Sequence, residues 1–306
     1  MQKNLQVSIC VVTYNHENYI RECLQSIVDQ ETDFDFEVIV SDDCSLDGTS
    51  EIIAGFAERY PGIVRPYLHE RNMGAFRNFL FVHDAARGKY VAHIDGDDCM
   101  LPGKLQSQVN HLNENDDTSF AVHAVKIMGS EKILGADERY PTVGSIHDLL
   151  KLGAYFVNSS VMYRRDLEFP RPEGIEVVDY YLHIERASKG NVYLDRRPLG
   201  CYRVHSQGIS KNEAYRARIE KCYEHAFDRA LSLGISQVAV ESARLTRRMS
   251  FAISSYLSGD TSAYKRKIKL QKKEIPLASL KHKVLHWTAH LPWLISIYML
   301  LRRMKR

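Results

Sequence analysis

Short apolar runs that stop abruptly at polar clusters constrain this chain more than any other feature. Residues 7–12 (Val-Ser-Ile-Cys-Val-Val), 37–40 (Glu-Val-Ile-Val) and 90–94 (Tyr-Val-Ala-His-Ile) are nearly continuous apolar stretches. That is the pattern of strands buried on both faces rather than on one. Between the first two, Ile20, Cys23, Leu24 and Ile27 recur at helical spacing. After the second, Asp47-Gly48-Thr49 opens a helix through Ile52, Ile53 and Phe56, with Pro61-Gly62 as its stop. Residues 63–68 read as a third strand, 74–86 as a third helix, 101–112 as a fourth helix and 119–125 as a further strand. Strand and helix alternating at short intervals predict an α/β fold, a mostly parallel sheet flanked by helices.

In such sheets ligands bind beyond the carboxyl ends of the strands, where the strand order switches. Thr13-Tyr14-Asn15, Asp42-Asp43 and Asp95-Gly96-Asp97-Asp98 all stand at predicted carboxyl ends, so three distant clusters are expected to converge on one crevice. Three acids within four positions beside an apolar strand are unfavourable unless a cation neutralises them. Closely spaced carboxylates suit Mg²⁺ or Mn²⁺, which bridge protein oxygens to a substrate's phosphates. An acidic surface turn is the alternative, and the stretch alone leaves both open.

Farther on the pattern weakens over residues 129–153, where only a short helix at 146–152 is expected. Residues 156–163 can form a strand broken by Asn158-Ser159-Ser160, and 179–188 a helix closed by Gly190. Two short strands follow, at 191–194 and 199–204, then two amphipathic helices, 212–233 and 236–258, split by Gly234. The predicted division is a catalytic α/β domain over residues 1–210 and a C-terminal helical region over 211–306.

The formal charge of +3 hides an asymmetry. The last 46 residues hold twelve lysines and arginines against the single acid Glu274, so they carry +11 and the first 260 carry −8. Leu277, Leu280, Val284, Trp287 and Leu291 fall at helical spacing among Lys281, His282 and Lys283, and a nine-residue apolar run, 293–301, ends in Arg302-Arg303. Nine residues cannot span a bilayer, but an apolar face with flanking cations suits the interface of an anionic leaflet. The same helix could instead dock on protein. The six cysteines show no metal-type spacing and read as buried free thiols. The first residues lack an apolar targeting core, so the expected location is cytoplasmic, peripheral on the inner face of the membrane.

Taken in order, the segments 7–15, 41–49 (Ser-Asp-Asp-Cys-Ser-Leu-Asp-Gly-Thr), Asn72-Met73-Gly74, 86–90 leading into 95–98, Asp179, and Tyr202-Arg203-Val204-His205 resemble the family 2 glycosyltransferases. The likeness covers about residues 5–210. It implies a GT-A fold and an enzyme that transfers sugar from a nucleotide-sugar donor, a UDP-sugar foremost, with inversion at the anomeric carbon. By that resemblance Thr13, Tyr14 and Asn15 line the nucleotide pocket, Asp42 bonds the base, and Asn72 shapes the site beside it. Asp97 holds a divalent metal (Mn²⁺ or Mg²⁺), Asp95 holds the ribose or meets the metal through water, and Asp98 orients them or binds the sugar. Asp179 takes the place of the catalytic base, although Val178 stands where a Glu often precedes it, with Glu176 as the fallback. Arg203 contacts phosphate, and His205 supplies a metal ligand or phosphate contact. Cys44 stands where the family frequently has Gly and carries no assigned role. His93 is read as packing.

The expected function is therefore glycosyl transfer to an acceptor hydroxyl in bacterial surface polysaccharide assembly (O-antigen, capsule or exopolysaccharide), on a glycan or lipid-linked acceptor. A nucleotide-sugar-binding regulator without activity is the alternative, left open by Val178. A nucleotidyltransferase would need a Gly-rich, basic loop after the first strand, which is absent from the sequence. The acidic body argues against nucleic acid, and self-association is left open.

Overall fold

The computed structural model describes residues 5–167, 176, 178–204, 213–289 and 291. His205 and the tail beyond Leu291 lie outside the described residues, so the metal-ligand expectation for His205 and the interfacial reading of residues 293–306 have no structural counterpart here.

The chain forms two compact units. The first comprises the chain through Leu149 together with Ala154–Ile219. It begins β1 (Leu5–Thr13), α1 (Ile20–Val28), β2 (Asp35–Asp42), α2 (Thr49–Arg59), β3 (Val64–Leu68), α3 (Ala75–Asp84) and β4 (Tyr90–Asp95). Then come β5 (Cys99–Met100), α4 (Lys104–Glu114), β6 (Thr118–Ile127), β7 (Ile133–Leu134), β8 (Val143–Gly144) and α5 (Ile146–Leu152), whose last turn belongs to the second unit. A 3-10 turn at Asn158–Ser160 leads to β9 (Met162–Arg164), α6 (Asp179–Ala187) and β10 (Asn191–Tyr202).

The described strands make one sheet in the order β3-β2-β1-β4-β9-β6-β10-β5, with β7 beside β6 and β8 beside β10. The first four strands run parallel, and so do β6 and β10; β9 runs antiparallel to both β4 and β6 and joins the two parallel parts. The apolar runs behave as their pattern demands. Val7, Ile9, Cys10 and Val11 are fully buried, as are Val38, Ile39 and Val40. Each such side chain taken from water contributes about 1.5–3 kcal/mol, which is why the central strands tolerate almost no polar residue. Helix α1 buries Ile20, Cys23, Leu24 and Ile27, the positions its spacing picks out.

Two differences from the sequence pattern have local causes. Residues 191–204, expected as two strands, form the single β10, because the interruption at Asp195–Pro198 is absorbed as register shifts against β6. The predicted strand around Ser159 instead contains the 3-10 turn, which delivers Ser159 to the end of β4.

The second unit consists of Leu150–Gly153 and the described residues from Glu220 onward. It holds the rest of α7 (Glu213–Ser232), then α8 (Gln237–Leu257), α9 (Thr261–Ile268) and α10 (Leu280–Trp287). Gly234 (φ 83°) and Gly259 (φ 91°) close α7 and α8 in the left-handed region where glycine is least strained. Ser236, Asp260 and Ser279 cap the next three helices through their side chains. Met249, Ala252, Tyr264, Ile268 and Leu285 form one of its cores. No helix among the described residues is long and apolar enough to cross a membrane.

Candidate active site

The parallel register fixes where the site forms. Thr13 pairs with Asp42 and Val12 with Asp95, so the carboxyl ends of β2, β1 and β4 lie side by side. The loops leaving them are sewn together. The Asn15 N–H donates to Ser45 Oγ at 2.8 Å, and the Asn15 side-chain oxygen accepts from the Leu46 N–H at 2.8 Å. Asn15 itself has φ 54°, a left-handed conformation that Asn adopts more readily than most residues. Its amide is thus used in closing the crevice rim. Tyr14 projects from the same rim and is partly exposed, while Thr13 is buried.

At the end of β2 both acids turn inward. Asp42 accepts from the hydroxyl and, at 3.3 Å, the N–H of Ser45, and burial pushes its carboxyl above the ordinary range against those bonds. Asp43 accepts from the Met73 N–H at 2.7 Å and the Gly74 N–H at 3.0 Å, and its carbonyl takes the Asn72 side-chain amide at 3.0 Å. Asn72 is therefore held at the rim by Asp43. Asp47, expected to cap α2, bonds the Thr49 N–H at 3.1 Å and also the Glu17 N–H at 3.2 Å, joining the two loops.

The turn after β4 is built differently. Gly96 donates to the Val12 carbonyl at 2.9 Å, and a Cβ there would stand 2.8 Å from both Thr13 Cβ and its Oγ1. Only glycine lets the acidic turn approach β1 this closely. Asp98 points inward: it is 1% exposed and accepts from Ser159 Oγ at 2.5 Å and from the Arg203 N–H at 2.9 Å. Burial, then Asp95 and Asp97, push its carboxyl well up. Lys104, buried below, donates to the Ser159 carbonyl at 2.7 Å, and burial lowers its ammonium to about 7.

Asp95 faces out, its side chain 40% exposed. Burial works to raise its carboxyl, but the hydrogen bond from His93 at 3.2 Å holds it below the usual value. Ser159 Oγ also reaches Asp95, at 3.3 Å from Oδ2 and 3.1 Å from the backbone N–H. One hydroxyl therefore ties Asp95 to Asp98. Asp97 is half-buried between them.

Arg203 braces this turn from the end of β10. Its Nε donates to the Asp97 carbonyl at 2.9 Å, its terminal nitrogen pairs with Glu22 at 2.5 Å, and its guanidinium lies 4.7 Å from the Tyr19 ring centre. In this structure the guanidinium expected on a phosphate is engaged by the protein. Asp179 is the first residue of α6, and its Oδ1 accepts the Tyr180 N–H at 2.8 Å. Glu176, the fallback base, is paired with Arg218. Arg164 is spent on the carbonyls of Leu112, Asn115 and Thr118.

Tyr202 shows which acids share the crevice. Its hydroxyl is pushed up first by burial and then by Asp98, Asp95, Asp97 and Asp179 together. Asp179 thus acts on the same hydroxyl as the acidic turn, although 80 residues separate it from Asp98 in sequence. Lys104, His83 and His93 are the participants that the motifs do not single out. Polar residues set inside apolar runs, as His93 is in β4, were the available signal.

The donor set suits a hard divalent cation. Asp97 and the outward Asp95 offer carboxylate oxygens, while Asp98 is consumed inside. Among the described residues no cluster of three or more His, Cys, Asp or Glu ligands is present. The protein would then supply one or two oxygens and the substrate phosphates the others, a usual division for Mg²⁺.

Comparison with known proteins agrees with this architecture. An uncharacterized protein of Mycobacterium tuberculosis is 37% identical over 210 residues, which is 66% of this chain and 60% of that protein. The putative glycosyltransferase EpsH of Bacillus subtilis is 29% identical over 220 residues, 66% of this chain and 62% of EpsH. These matches thus span less than two thirds of either relative. The putative teichuronic acid biosynthesis glycosyltransferase TuaG of Bacillus subtilis is 35% identical over 108 residues, 35% of this chain and 42% of TuaG. Among solved structures, S. aureus TarS 1-349 in complex with UDP-GlcNAc superposes with a TM-score of 0.71 at 18% identity, covering 94% of this chain and 88% of that one. The mannosyltransferase PcManGT of Pyrobaculum calidifontis, in complex with GDP-Man and Mn²⁺, gives 0.57 at 16% identity, covering 96% and 86%. At such identities these two speak to the fold, which is GT-A. The profile of Glycosyl transferase family 2 matches residues 8–168, the stretch that carries β1 to β4 and the acidic turn, and the chain accordingly belongs to that family.

Proposed function

We propose that the chain transfers a sugar from a nucleoside-diphosphate donor to an acceptor hydroxyl, with inversion, during assembly of a bacterial surface polysaccharide. The observation that carries this reading is the convergence of the β1, β2 and β4 ends around one crevice. The base and ribose lie along the rim formed by Thr13, Tyr14, Asn15, Asp42 and Asn72. Asp95 and Asp97 face the diphosphate and would hold Mn²⁺ or Mg²⁺. Such a cation supplies charge relief to the leaving diphosphate. Asp179 accepts the proton of the attacking hydroxyl, with one of its oxygens fixed by the Tyr180 N–H. The names and bound ligands of TuaG, TarS and PcManGT support the polysaccharide setting and the nucleotide-sugar donor.

The acceptor is lipid-linked in this reading, and the second unit brings the enzyme to it. Leu280, Val284, Trp287 and Leu291 repeat at helical spacing and are all exposed, with Lys281 and Lys283 beside them. An apolar stripe rimmed by lysines suits an anionic membrane surface. Full-length protein carrying Leu280→Glu and Trp287→Glu should lose co-flotation with anionic vesicles; retention equal to wild type ends that part of the proposal.

The test of the reaction is release of nucleoside diphosphate from a panel of sugar nucleotides. EDTA and Asp97→Ala should each abolish it. Asp179→Asn should keep donor binding but lose about 10²–10⁴ in transfer rate. Full transfer by the Asn variant would move the base elsewhere, and tight donor binding by wild type without turnover would favour the inactive regulator.

A further inference from the structure

Behind Asp95 lies a buried chain of polar rings that the reaction above does not use. His83, in the last turn of α3, His93, in the middle of β4, and Tyr163, on β9, are brought together by the antiparallel pairing of Val91 with Tyr163. Tyr163 Oη meets His83 Nδ1 at 2.8 Å, His83 Nε2 meets His93 Nδ1 at 3.1 Å, and His93 Nε2 meets Asp95 Oδ1 at 3.2 Å. His93 is only 2% exposed. Phe79 stacks on His83 with ring centres 4.0 Å apart and packs 5.0 Å from His93, while the Arg186 guanidinium sits 3.8 Å over the Tyr163 ring. The rings are thus held from the sides as well as end to end.

Donor and acceptor counting gives the chain a direction. A carboxylate only accepts, so His93 Nε2 carries the hydrogen at Asp95. In a neutral ring Nδ1 is then bare and accepts from His83 Nε2–H, which leaves His83 Nδ1 to accept the Tyr163 hydroxyl. Burial holds the His83 imidazole well below its usual titration range, in keeping with a neutral ring. Every ring nitrogen is thereby satisfied in a region where an unmet one would be costly. Aliphatic side chains would fill this space without that constraint. What the polar chain adds is a fixed orientation for one carboxylate at the lip of the crevice.

We propose that His93, backed by His83 and Tyr163, is a positioning residue that presets the Asp95 carboxylate for the nucleoside diphosphate of the donor. This rests on the donor reading above. Oδ1 is anchored from behind while the exposed part of the side chain faces the ligand, so binding does not spend free energy on ordering it.

The test is calorimetric titration of full-length protein with UDP, GDP, CDP and dTDP in Mn²⁺, using wild type, His93→Leu, His93→Gln, His93→Asn and His83→Leu. His93→Leu should weaken the best-bound nucleotide about tenfold, or about 1.4 kcal/mol. His93→Gln, whose carboxamide N–H reaches the place of Nε2, should recover most of that loss. His83→Leu, which leaves His93 without its backing, should fall between wild type and His93→Leu. Gln sets an N–H at the place of Nε2 and the shorter Asn only at that of Nδ1, so equal binding by those two overturns the proposal even if His93→Leu does not fold. In ¹⁵N-histidine-labelled free protein, His93 should show the Nε2–H tautomer; the Nδ1–H tautomer also overturns it. Failure of wild type to bind any of the four nucleotides sinks the donor reading and this role with it. Binding that is indifferent to all the variants sinks the positioning role alone.

Discussion

The ends of β2 and β4 both carry paired acids beside a buried strand, yet the protein treats them in opposite ways. At β2, Asp42 and Asp43 turn inward, and Asp43 is occupied by the N–H groups of Met73 and Gly74. At β4, Asp98 alone is consumed inside, while Asp95 stays 40% exposed and is held from behind by side chains, His93 and Ser159. A carboxylate bound by backbone N–H groups shapes a loop. One gripped at its edge by side chains, with the rest facing solvent, remains available to a ligand. Asp motifs at strand ends therefore contain both builders and binders, and the partner atoms separate them.

The comparison breaks most directly on a matched pair. Asp43→Ala leaves the Met73 and Gly74 N–H groups without their acceptor and should cost about 3 kcal/mol of unfolding free energy. Asp95→Asn should cost under about 1 kcal/mol while clearly weakening binding of a nucleoside diphosphate. Urea denaturation and calorimetric titration on both variants decide it. A stable Asp43→Ala, or an Asp95→Asn that unfolds easily and binds normally, would erase the distinction.

A smaller effect tests how the β4 end is placed at all. Gly96→Ala sets a methyl 2.8 Å from Thr13, against the side chain of a residue whose backbone is fixed in the sheet. The turn must move away from β1, at a cost of about 1–3 kcal/mol. Nucleotide affinity should fall with it, since Asp95 and Asp97 flank the displaced residue. Wild-type stability in this variant would mean that the close approach is slack.

Much of this arrangement is legible in the sequence, for definite reasons. A strand buried on both faces must be apolar throughout, so β1, β2 and β4 announce themselves, and α1 shows its buried face through its spacing. The two-residue strands β5, β7 and β8 are too short to display a period, and β10 hides its continuity behind Asp195-Arg196-Arg197-Pro198. The acids of the site are visible as clusters, but their directions are not. Whether Asp98 faces in depends on Ser159, 61 residues away, and on Arg203, 105 away. The sequence reading treats His93 as packing. It does lie in the core, yet it shares a strand face with Asp95 two residues on, and that period-2 relation made the contact available in principle.

The inward and outward acids should also differ in how they tie stability to pH. Asp98 has its carboxyl raised, by burial and then by Asp95 and Asp97. Above its ordinary value the unfolded chain has released that proton while the folded chain keeps it, so this contribution to stability falls as pH rises. Asp95 is lowered, burial being outweighed by the His93 hydrogen bond. Its contribution is present above the unfolded value and is lost as pH falls through the folded one. Asp98→Asn should therefore gain on wild type as pH rises from about 4, read from urea midpoints. A difference that stays flat with pH would mean that the two carboxylates are not held apart in this way.

The smallest effect concerns the loop that turns the β2 acids inward. Cys44 follows them with φ 63°, a left-handed backbone that a β-carbon disfavours and that glycine adopts freely. The Cys44 side chain is half-buried and makes no disulfide. Cys44→Gly relieves the strain but also loosens the unfolded chain, and these act in opposite directions. Relief of a left-handed residue is worth about 1–2 kcal/mol, and the added chain entropy takes back about 0.4–1 kcal/mol. The balance predicts a gain of about 0.5 kcal/mol, with nucleotide affinity unchanged because Asp42 and Asp43 keep their partners. Stabilisation together with altered affinity would show that the strain at Cys44 is transmitted to the crevice, through the loop that sets Asp42 in the nucleotide rim.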